Sequence, residues 1–261
     1  MSLIYTKNKE FHIDLQKGDV GRYVILTGDP GRCEMIAAYL ENPRIIARKR
    51  EFTTYVGELN GEKVCVTSTG IGGPSAVIAM EELVHCGADT FIRVGTSGGM
   101  QPQILGGDLV IATGAIRAEG TTREYAPIEY PAVPDYEVVQ ALKKAAEELK
   151  APFHMGVVHC KDNFYGQHSP ETMPQYVLLK NNWEAWKACG ALASEMESAS
   201  LFITAGVRRV RAGSVLTVLA NQTRRELELP DVEVYDTELA VKTAVRAMAE
   251  LIEQDRKKAV E

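Results

Sequence analysis

The sequence predicts an α/β protein with a largely parallel sheet. Two observations support this: short apolar runs alternate with longer stretches of helical periodicity, and the runs are apolar throughout. Runs of this kind are typical of strands that are buried on both faces. Strands that alternate with helices favour parallel pairing, because each parallel neighbour needs a crossover connection.

Five apolar runs are predicted to be strands. They are residues 23–26, 64–69, 90–94, 109–112 and 213–219.

Three segments are predicted to be helices. The first spans 74–86 and ends at Gly87, since glycine readily takes the left-handed conformation that closes a helix. The second begins after Asp135, a good N-cap, and carries apolar residues at helical spacing as far as Leu149. The third spans 236–254. No repeat or linker divides the chain, so we expect one domain over residues 1–261.

Composition and charge exclude several classes of protein. Hydrophobic residues make up 45% and charged residues 25% of the 261 residues, which is ordinary for a globular protein. The net charge is −6, so we expect no nucleic-acid partner, which would favour a basic face. No apolar run approaches the ~18 residues of a membrane span, so we expect no membrane partner.

The N-terminal stretch and the cysteines predict a cytoplasmic location. Residues 1–19 have no apolar core or small-residue cleavage site of the kind that a signal peptide carries. The cysteines are odd in number, widely spaced and outside CxxC pairs, which favours buried thiols in a reducing compartment over disulfides or a zinc site. They are Cys33, Cys65, Cys86, Cys160 and Cys189.

A glycine-rich turn at 27–32 follows the first strand and precedes a helical pattern. Its backbone N–H groups and the positive end of the helix suit an anion, and Arg32 adds a forked donor for phosphate. The alternative is a tight turn without a ligand.

Arg93 lies in an apolar strand that is predicted to run into a donor-rich loop at 95–99. A buried guanidinium needs an anionic partner, and ligands of parallel sheets lie beyond the carboxyl ends of strands. The partner is either a ligand or a buried carboxylate of the protein. The coincidence of the arginine with the donors favours a ligand.

Three further places carry polar candidates. Glu195 and Glu197 can accept hydrogen bonds from sugar hydroxyls, or they form the acidic start of a helix. Gln167 offers a donor and an acceptor to a base edge, and Phe164 offers a ring for stacking, although the segment taken alone favours a polar surface loop. His12, taken alone, favours an exposed surface residue.

Together these segments resemble the nucleoside phosphorylase family, and within it the members that act on uridine. The resemblance runs from about residue 11 to about residue 255. The matching segments are TGDPGR at 27–32, REFTTY at 50–55, STGIGGPS at 68–75, RVGTSGG at 93–99, FYGQ at 164–167, SEMES at 194–198 and NQT at 221–223. One such motif is weak, whereas seven in order are specific.

The resemblance implies a three-layer α/β/α fold with a central mixed, partly barrel-like sheet. It implies phosphorolysis of uridine to uracil and α-D-ribose 1-phosphate in pyrimidine salvage, with inorganic phosphate as co-substrate and no required cofactor. It also implies a homodimer and a homohexamer of three dimers, with each active site shared across a dimer.

The same resemblance assigns site residues. Phosphate would be bound by Gly28, Arg32, Arg93, Thr96 and the partner's Arg50, and ribose by Glu195, Met196, Glu197 and the partner's His12. The base would be bound by Phe164, Gln167, His168 and Lys161, with Arg93, Gln167 and His168 as the catalytic residues. A monovalent cation, K⁺, would lie at the dimer interface on Glu51, Ile71 and Ser75.

The chain departs from the commonest bacterial pattern where the base would bind. That pattern has an arginine two residues after Gln167, and here His168 is followed by Ser169. A second expected arginine is replaced by Gln222. We therefore hypothesise that His168, with Lys161, donates to a uracil oxygen.

Two other functions fit the same motifs. A purine nucleoside phosphorylase or nucleosidase would have an aspartate after the late strand to protonate the purine. The segment at 216–223 reads LTVLANQT and has no acid, which favours a pyrimidine. A non-catalytic nucleoside-binding protein would have no need of the phosphate ligands, although the fold alone does not exclude it.

Overall fold

Strands and helices alternate along most of the chain. The computed structural model describes residues 9–259. The elements are β1 (Tyr23–Thr27), α1 (Pro30–Ala37), β2 (Glu41–Lys49), β3 (Phe52–Leu59), β4 (Glu62–Ser68), α2 (Gly73–Cys86), β5 (Thr90–Gly99), β6 (Leu109–Ala118), α3 (Thr121–Tyr125), α4 (Tyr136–Glu148), β7 (Phe153–Lys161), α5 (Phe164–His168), a 3-10 turn (Pro170–Thr172), α6 (Tyr176–Ala188), β8 (Ala193–Glu195), α7 (Ser198–Arg208), β9 (Arg211–Asn221), α8 (Gln222–Glu226) and α9 (Glu238–Lys258).

The strands form a mixed sheet that partly closes on itself. Within residues 9–259, nine strands lie in the order β2-β3-β4-β1-β5-β8-β7-β6-β9. Because β9 also pairs with β5, the five strands β5, β8, β7, β6 and β9 form a ring. β1 is parallel to β4 and β5, whereas the β2–β3, β3–β4, β5–β8 and β6–β9 pairs are antiparallel. The mixed, partly barrel-like sheet is confirmed.

Helices cover both faces of this sheet. Along β1, Val24 and Leu26 belong to a core cluster that includes α2 and α7, while Tyr23 and Ile25 belong to a second cluster with α1, α4 and α9. Successive strand residues point to opposite faces, so a strand covered on both sides is apolar at every position. The three-layer architecture is therefore confirmed, and it explains the continuous apolar runs.

The predicted helices are present. α2 ends at Gly87, which takes the expected left-handed conformation with φ 112°. Asp135 caps α4 by accepting hydrogen bonds from the N–H groups of Glu137 and Val138 at 3.0 and 3.2 Å. α9 spans Glu238–Lys258 instead of 236–254.

The prediction of a loop at 95–99 is wrong. β5 continues to Gly99 because two strands pair with its end. Gly98 lies opposite Ala220 of β9 on one side and Ser194 of β8 on the other. The backbone of this segment therefore pairs with neighbouring strands of the sheet.

The thiols largely follow the prediction. All five cysteines are free, and Cys33, Cys65, Cys86 and Cys160 are buried. Cys189 is exposed just after α6, so the buried-thiol interpretation is wrong for it. Among residues 9–259, no group of three or more His, Cys, Asp or Glu side chains is arranged to hold a metal ion. No helix in the same part of the chain is long and apolar enough to cross a membrane.

An ion-pair cluster joins three strands to two helices. Arg211 of β9 contacts Asp255 of α9 at 2.5 Å, Glu137 of α4 at 3.1 Å and the hydroxyl of Thr90 in β5 at 2.7 Å. Tyr23 of β1 donates to Asp255 at 2.9 Å. Burial acts to raise the pKa of Asp255, but the hydrogen bonds from Arg211 and Tyr23 outweigh it and leave that pKa below its usual value.

Asp255→Asn should lower the free energy of unfolding at pH 7 by about 2 kcal/mol, because it weakens charge-assisted hydrogen bonds to a partly buried guanidinium. Since the folded pKa of Asp255 is lowered, its contribution is complete above the unfolded pKa of ~3.9 and is lost as the pH falls through the folded value. Urea titrations from pH 7 to pH 3 measure this. The gap between wild type and variant should narrow only below about pH 4. A gap that is constant over the whole range would contradict the assignment.

Candidate functional site

A cavity of about 1140 Å³ opens where β1, β5, β7 and β9 end. β1, β5 and β9 are parallel, and the carboxyl ends of parallel strands lie along one edge of a sheet, which is where α/β proteins bind ligands. The lining residues fall mainly in the segments 28–32, 93–98, 161–168, 194–197 and 219–225. The first four of these segments are ones that the sequence analysis singled out by their chemistry, and they meet in one place.

Most of the predicted site residues line this cavity. They are Gly28, Arg32, Glu51, Ile71, Ser75, Arg93, Thr96, Lys161, Phe164, Gln167, His168, Glu195, Met196 and Glu197. His12 and Arg50 are not among the lining residues.

The turn after β1 presents Arg32 to the cavity. Asp29 caps α1 by accepting from the N–H of Gly31 at 2.8 Å, and Pro30 is the first helical residue. The guanidinium of Arg32 donates to the hydroxyl of Thr27 at 3.1 Å. Among residues 9–259, Arg32 has no ion pair with a carboxylate. Burial lowers its pKa, so a partly dehydrated cation faces the cavity with a hydroxyl partner.

Arg93 is paired with two carboxylates of the protein. It is 4% exposed, its Nε lies 3.3 Å from Glu195, and its Nη2 donates to Glu197. Burial opposes the charged form, but Glu197 and Glu195 raise the pKa of Arg93, so it stays cationic. Its Nη1 has no hydrogen-bond partner in the part of the chain that the structure describes. The buried-carboxylate alternative is therefore correct for two nitrogens, and Nη1 remains to meet a ligand.

Gly95 makes room for this guanidinium. A Cβ atom on Gly95 would lie 2.7 Å from Nη2 of Arg93, closer than such contacts allow. Any larger residue would displace the guanidinium.

The two glutamates reach Arg93 from different elements. Glu195 ends β8, and its carboxylate accepts the N–H groups of Glu197 at 2.9 Å and Ser198 at 3.0 Å at the start of α7. Glu197 accepts the N–H of Gly72 at 2.7 Å. The change from strand to helix between them lets both carboxylates face one cation. The oxygens of Glu195 are already occupied within the fold.

The segment around Gln167 is a short helix and not the polar surface loop that its composition favoured. Asn163 caps α5 by accepting from the N–H of Gly166 at 2.9 Å. This turn buries Gln167, which is 7% exposed, and leaves Phe164 51% exposed. The rings of Phe164 and His168 lie 4.4 Å apart.

Two titratable groups lie beside Gln167. The Lys161 ammonium donates to the hydroxyl of Ser194 at 2.6 Å, and burial lowers the pKa of Lys161 to about 8. Burial, helped by the charges of Lys161 and Arg225, also lowers the pKa of His168. At neutral pH, Lys161 is therefore mainly charged and His168 is neutral.

Several lining residues were not predicted. Arg225 pairs with Asp231 at 2.6 Å and with Glu233 at 2.7 Å, and Tyr235 donates to Glu233 at 2.5 Å. The segment that supplies Glu233 and Tyr235 has no periodicity or glycine-rich turn. Ser194 lies in the segment SEMES at 194–198 and Gln222 in the segment NQT at 221–223. Their polar side chains within these segments are the sequence feature that could have identified them.

His12 and Arg50 lie in one surface patch around Phe11. The Nδ1 of His12 is 2.6 Å from Glu82, whose carboxylate also accepts the N–H of Ile13 at 2.8 Å. Arg50 is exposed, and its guanidinium lies 6.0 Å from the ring of Phe11.

Oxygen atoms gather beside the cavity at Glu51 and Ser75. The hydroxyl of Ser75 lies 2.7 Å from the Glu51 carboxylate and 2.5 Å from the carbonyl oxygen of Thr69. The side chain of Ile71 is exposed. Carboxylate, hydroxyl and carbonyl oxygens are the ligands that hard cations prefer, so this donor set fits a cation such as K⁺.

Comparison with known proteins finds a matching family model and several relatives that align over nearly the whole chain. The family model described as "Phosphorylase superfamily" matches residues 22–253. The chain is 58% identical to the uridine phosphorylase of Treponema pallidum, over 98% of this chain and 99% of that protein. It is 41% identical to the uridine phosphorylase of Escherichia coli, over 95% and 100%, and 42% identical to that of Thermococcus kodakarensis, over 94% and 88%.

Inorganic phosphate should raise the melting temperature of the wild-type protein, because a ligand that binds only the folded state stabilises it. Arg32→Gln should abolish most of this rise, since it removes a cation that has no carboxylate partner within residues 9–259. Arg225→Gln is the matched control: it removes an arginine of the same cavity that is already neutralised by two carboxylates. Thermal unfolding with increasing phosphate measures all three proteins. If phosphate raised the melting temperature of both variants by the same reduced amount, an anion site at Arg32 would be contradicted.

Proposed function

The chain belongs to the phosphorylase superfamily, and from that membership we propose that it is a uridine phosphorylase. It would split uridine with inorganic phosphate into uracil and α-D-ribose 1-phosphate, as an enzyme of pyrimidine salvage. The observation that carries this proposal is that one cavity holds the guanidinium groups of Arg32 and Arg93 together with the buried amide of Gln167.

The proposed phosphate ligands are Gly28, Arg32, Arg93 and Thr96. Arg32 and Nη1 of Arg93 are cationic donors without a carboxylate partner in residues 9–259, and Arg93 is held in place on its other edge. Held groups of this kind cost little reorganisation when charge develops beside them.

The proposed ribose ligands are Glu197 and Met196. The Glu197 carboxylate lines the cavity and can accept hydrogen bonds from sugar hydroxyls. The sequence predicts the same role for Glu195, but its side chain is 0% exposed, against 6% for Glu197, and its oxygens accept backbone N–H groups and Arg93. We assign Glu195 to the positioning of Arg93 and of the start of α7.

The proposed base ligands are Gln167, His168, Lys161 and the ring of Phe164. A pyrimidine leaves as an anion when the glycosidic bond breaks, so donors to its oxygens stabilise the transition state. Lys161 brings a charge, and the neutral imidazole of His168 still has one N–H to donate. The carboxylate of Glu233 in the same wall is held by Arg225 and Tyr235, so Glu233 is not free to protonate a purine.

The reaction follows from these placements. A phosphate oxygen attacks the anomeric carbon, the bond from that carbon to the base breaks, and the electron pair leaves with the base. The sugar passes through an oxocarbenium-like state that the phosphate anion stabilises. Attack on the face opposite the base inverts the anomeric carbon, which gives the α product. The chain supplies orientation and fixed charge.

A second copy of the chain would complete each site. The proposal is that His12 of the partner subunit reaches the 5′ hydroxyl and that Arg50 of the partner subunit reaches the phosphate, within a homodimer that assembles into a homohexamer. Support comes from the placement of both residues on the patch around Phe11, outside the chain's own cavity. The oxygens at Glu51 and Ser75 and the carbonyl of Ile71 would hold K⁺ at the dimer interface.

We further propose a cytoplasmic location and one domain that spans the chain. The free thiols fit a reducing compartment. One sheet collects strands from Tyr23 to Asn221, and α9 packs against its inner strands and α4.

The wild-type protein should release uracil from uridine only when inorganic phosphate is present. Chromatography of the products, with inosine and thymidine assayed in parallel, tests this. Equal release without phosphate would indicate a nucleosidase. Faster cleavage of inosine would indicate a purine enzyme, and uridine binding without turnover would indicate a binding protein.

His168→Ala should lower kcat/KM for uridine about tenfold, the effect of one lost hydrogen bond to the departing base. Because the pKa of His168 is lowered, the wild-type profile of kcat/KM should show an inflection below the usual ~6.5, where the imidazole gains its charge, and the variant should lack it. Steady-state kinetics between pH 5 and pH 8 measure both effects. Unchanged kcat and KM would disprove the role of His168.

A further inference from the structure

A row of hydrogen bonds passes through the cavity wall at Gln167. The hydroxyl of Ser194 lies 2.7 Å from Oε1 of Gln167. Nε2 of Gln167 lies 3.1 Å from Oε1 of Gln222, and Nε2 of Gln222 lies 3.0 Å from a carboxylate oxygen of Glu226. We call Ser194, Gln167, Gln222 and Glu226 the amide relay. Its first three members line the cavity, and Glu226 is not among the lining residues.

Glu226 sets the direction of the amide relay. A carboxylate only accepts hydrogen bonds, and Glu226 is paired with Lys187 at 2.8 Å. Gln222 must therefore turn its NH₂ group to Glu226 and its oxygen to Gln167. That oxygen needs a donor, so Gln167 must present its own NH₂ group to Gln222 and its oxygen to Ser194.

Lys161 sets the same direction from the other end. An ammonium only donates, and Lys161 donates to the hydroxyl of Ser194 at 2.6 Å. The single proton of Ser194 is then available for Oε1 of Gln167. Nδ1 of His159 lies 3.2 Å from the same hydroxyl, and burial lowers the pKa of His159 to about 3, so this ring is neutral. In the tautomer with its proton on Nδ1 the ring donates to Ser194, which leaves the proton of Ser194 for Gln167. Both ends of the row thus demand one orientation of the Gln167 amide.

We propose that Ser194, Gln222 and Glu226 are positioning residues that hold the amide of Gln167 in one orientation, and so select a base with an N–H beside a carbonyl. This proposal rests on the proposed function. Uracil offers such an edge, with its ring N–H facing Oε1 and a carbonyl oxygen facing Nε2. Cytosine has an unprotonated ring nitrogen at that place, which would face the oxygen of Gln167.

The fixed orientation matters because an amide by itself discriminates poorly. A freely turning glutamine can present either its oxygen or its NH₂ group to a ligand and so can satisfy both bases. A site whose polar groups are held leaves the wrong base with unpaired groups, which is how hydrogen-bonding sites reject close analogues.

Glu226→Gln tests the relay without changing a residue of the cavity wall. The new amide can either accept or donate, so Gln222 is free to turn, and the amide of Gln167 is then held only from the Ser194 end. Glu184→Gln is the matched control, because Glu184 pairs with the same Lys187 at 3.0 Å from α6 and is not part of the relay. The measurements are the KM for uridine and the inhibition constant of cytidine. Partial unfolding would lower the apparent kcat but leave the ratio of these constants unchanged.

The expected result is that Glu226→Gln lowers the ratio of the cytidine inhibition constant to the uridine KM about tenfold, while Glu184→Gln leaves it at the wild-type value. An unchanged ratio in Glu226→Gln would overturn the proposal. An equal change in both variants would also overturn it, since the effect would then come from the Lys187 ion pairs. If the wild-type protein cleaves no uridine, the proposed function fails and this proposal fails with it.

Ser194 provides a second test from the other end of the relay. Ser194→Ala removes the donor to Oε1 of Gln167 and should also lower the ratio, whereas Ser194→Thr keeps a hydroxyl and should restore it. A ratio in Ser194→Ala equal to that of wild type would contradict the role of the hydroxyl.

Discussion

The burial of one cation governs the architecture around the cavity. Arg93 lies in the middle of β5, and a guanidinium removed from water needs anionic partners. Glu195 and Glu197 supply them from the junction of β8 and α7, so β8 must lie against β5 for the charge to be satisfied. That pairing is also one of the contacts that close the five-stranded ring. Gly95 leaves the space that the guanidinium needs. The ligand cavity and the closure of the sheet therefore depend on the same ion pairs.

These ion pairs also determine which charges a bound anion would meet. Within one chain, four cationic side chains and five carboxylates line the cavity, so the formal charge of its wall is 4 − 5 = −1. A phosphate ion adds negative charge to this balance. The proposed dimer would supply a further positive charge, because Arg50 is an exposed arginine that a second copy could bring to the site. The net charge of −6 weakens the binding of a phosphate ion only slightly, because exposed charges more than ~8–10 Å away are largely screened at physiological salt.

Local patterns predicted β1, β4, β5, β6 and β9 and the helices α2, α4 and α9, but not the other strands β2, β3, β7 and β8. The resemblance supplied the mixed sheet and most of the cavity residues. The prediction failed where distant parts of the chain decide the outcome. The segment 95–99 has the composition of a loop, but β8 and β9 make it a strand, and neither pairing is visible in a local window. The segment around Gln167 is polar enough for a surface loop, yet a capped helical turn buries it. Glu233 and Tyr235 reach the cavity from a segment without a pattern, so only the folded chain reveals them.

The hydrogen-bonding role of a side chain beside the proposed base site depends on its neighbours in the fold. The sequence shows that an expected arginine is replaced by Gln222, which by itself looks like the loss of a donor. A glutamine side chain has no intrinsic direction, because its two ends differ only in which group donates. The direction comes from a carboxylate outside the cavity, Glu226, and from a buried ammonium, Lys161, at the far end of the row. The hydrogen-bonding character of Gln167 is thus a property of the whole row of partners, and it depends on a charge that no ligand touches.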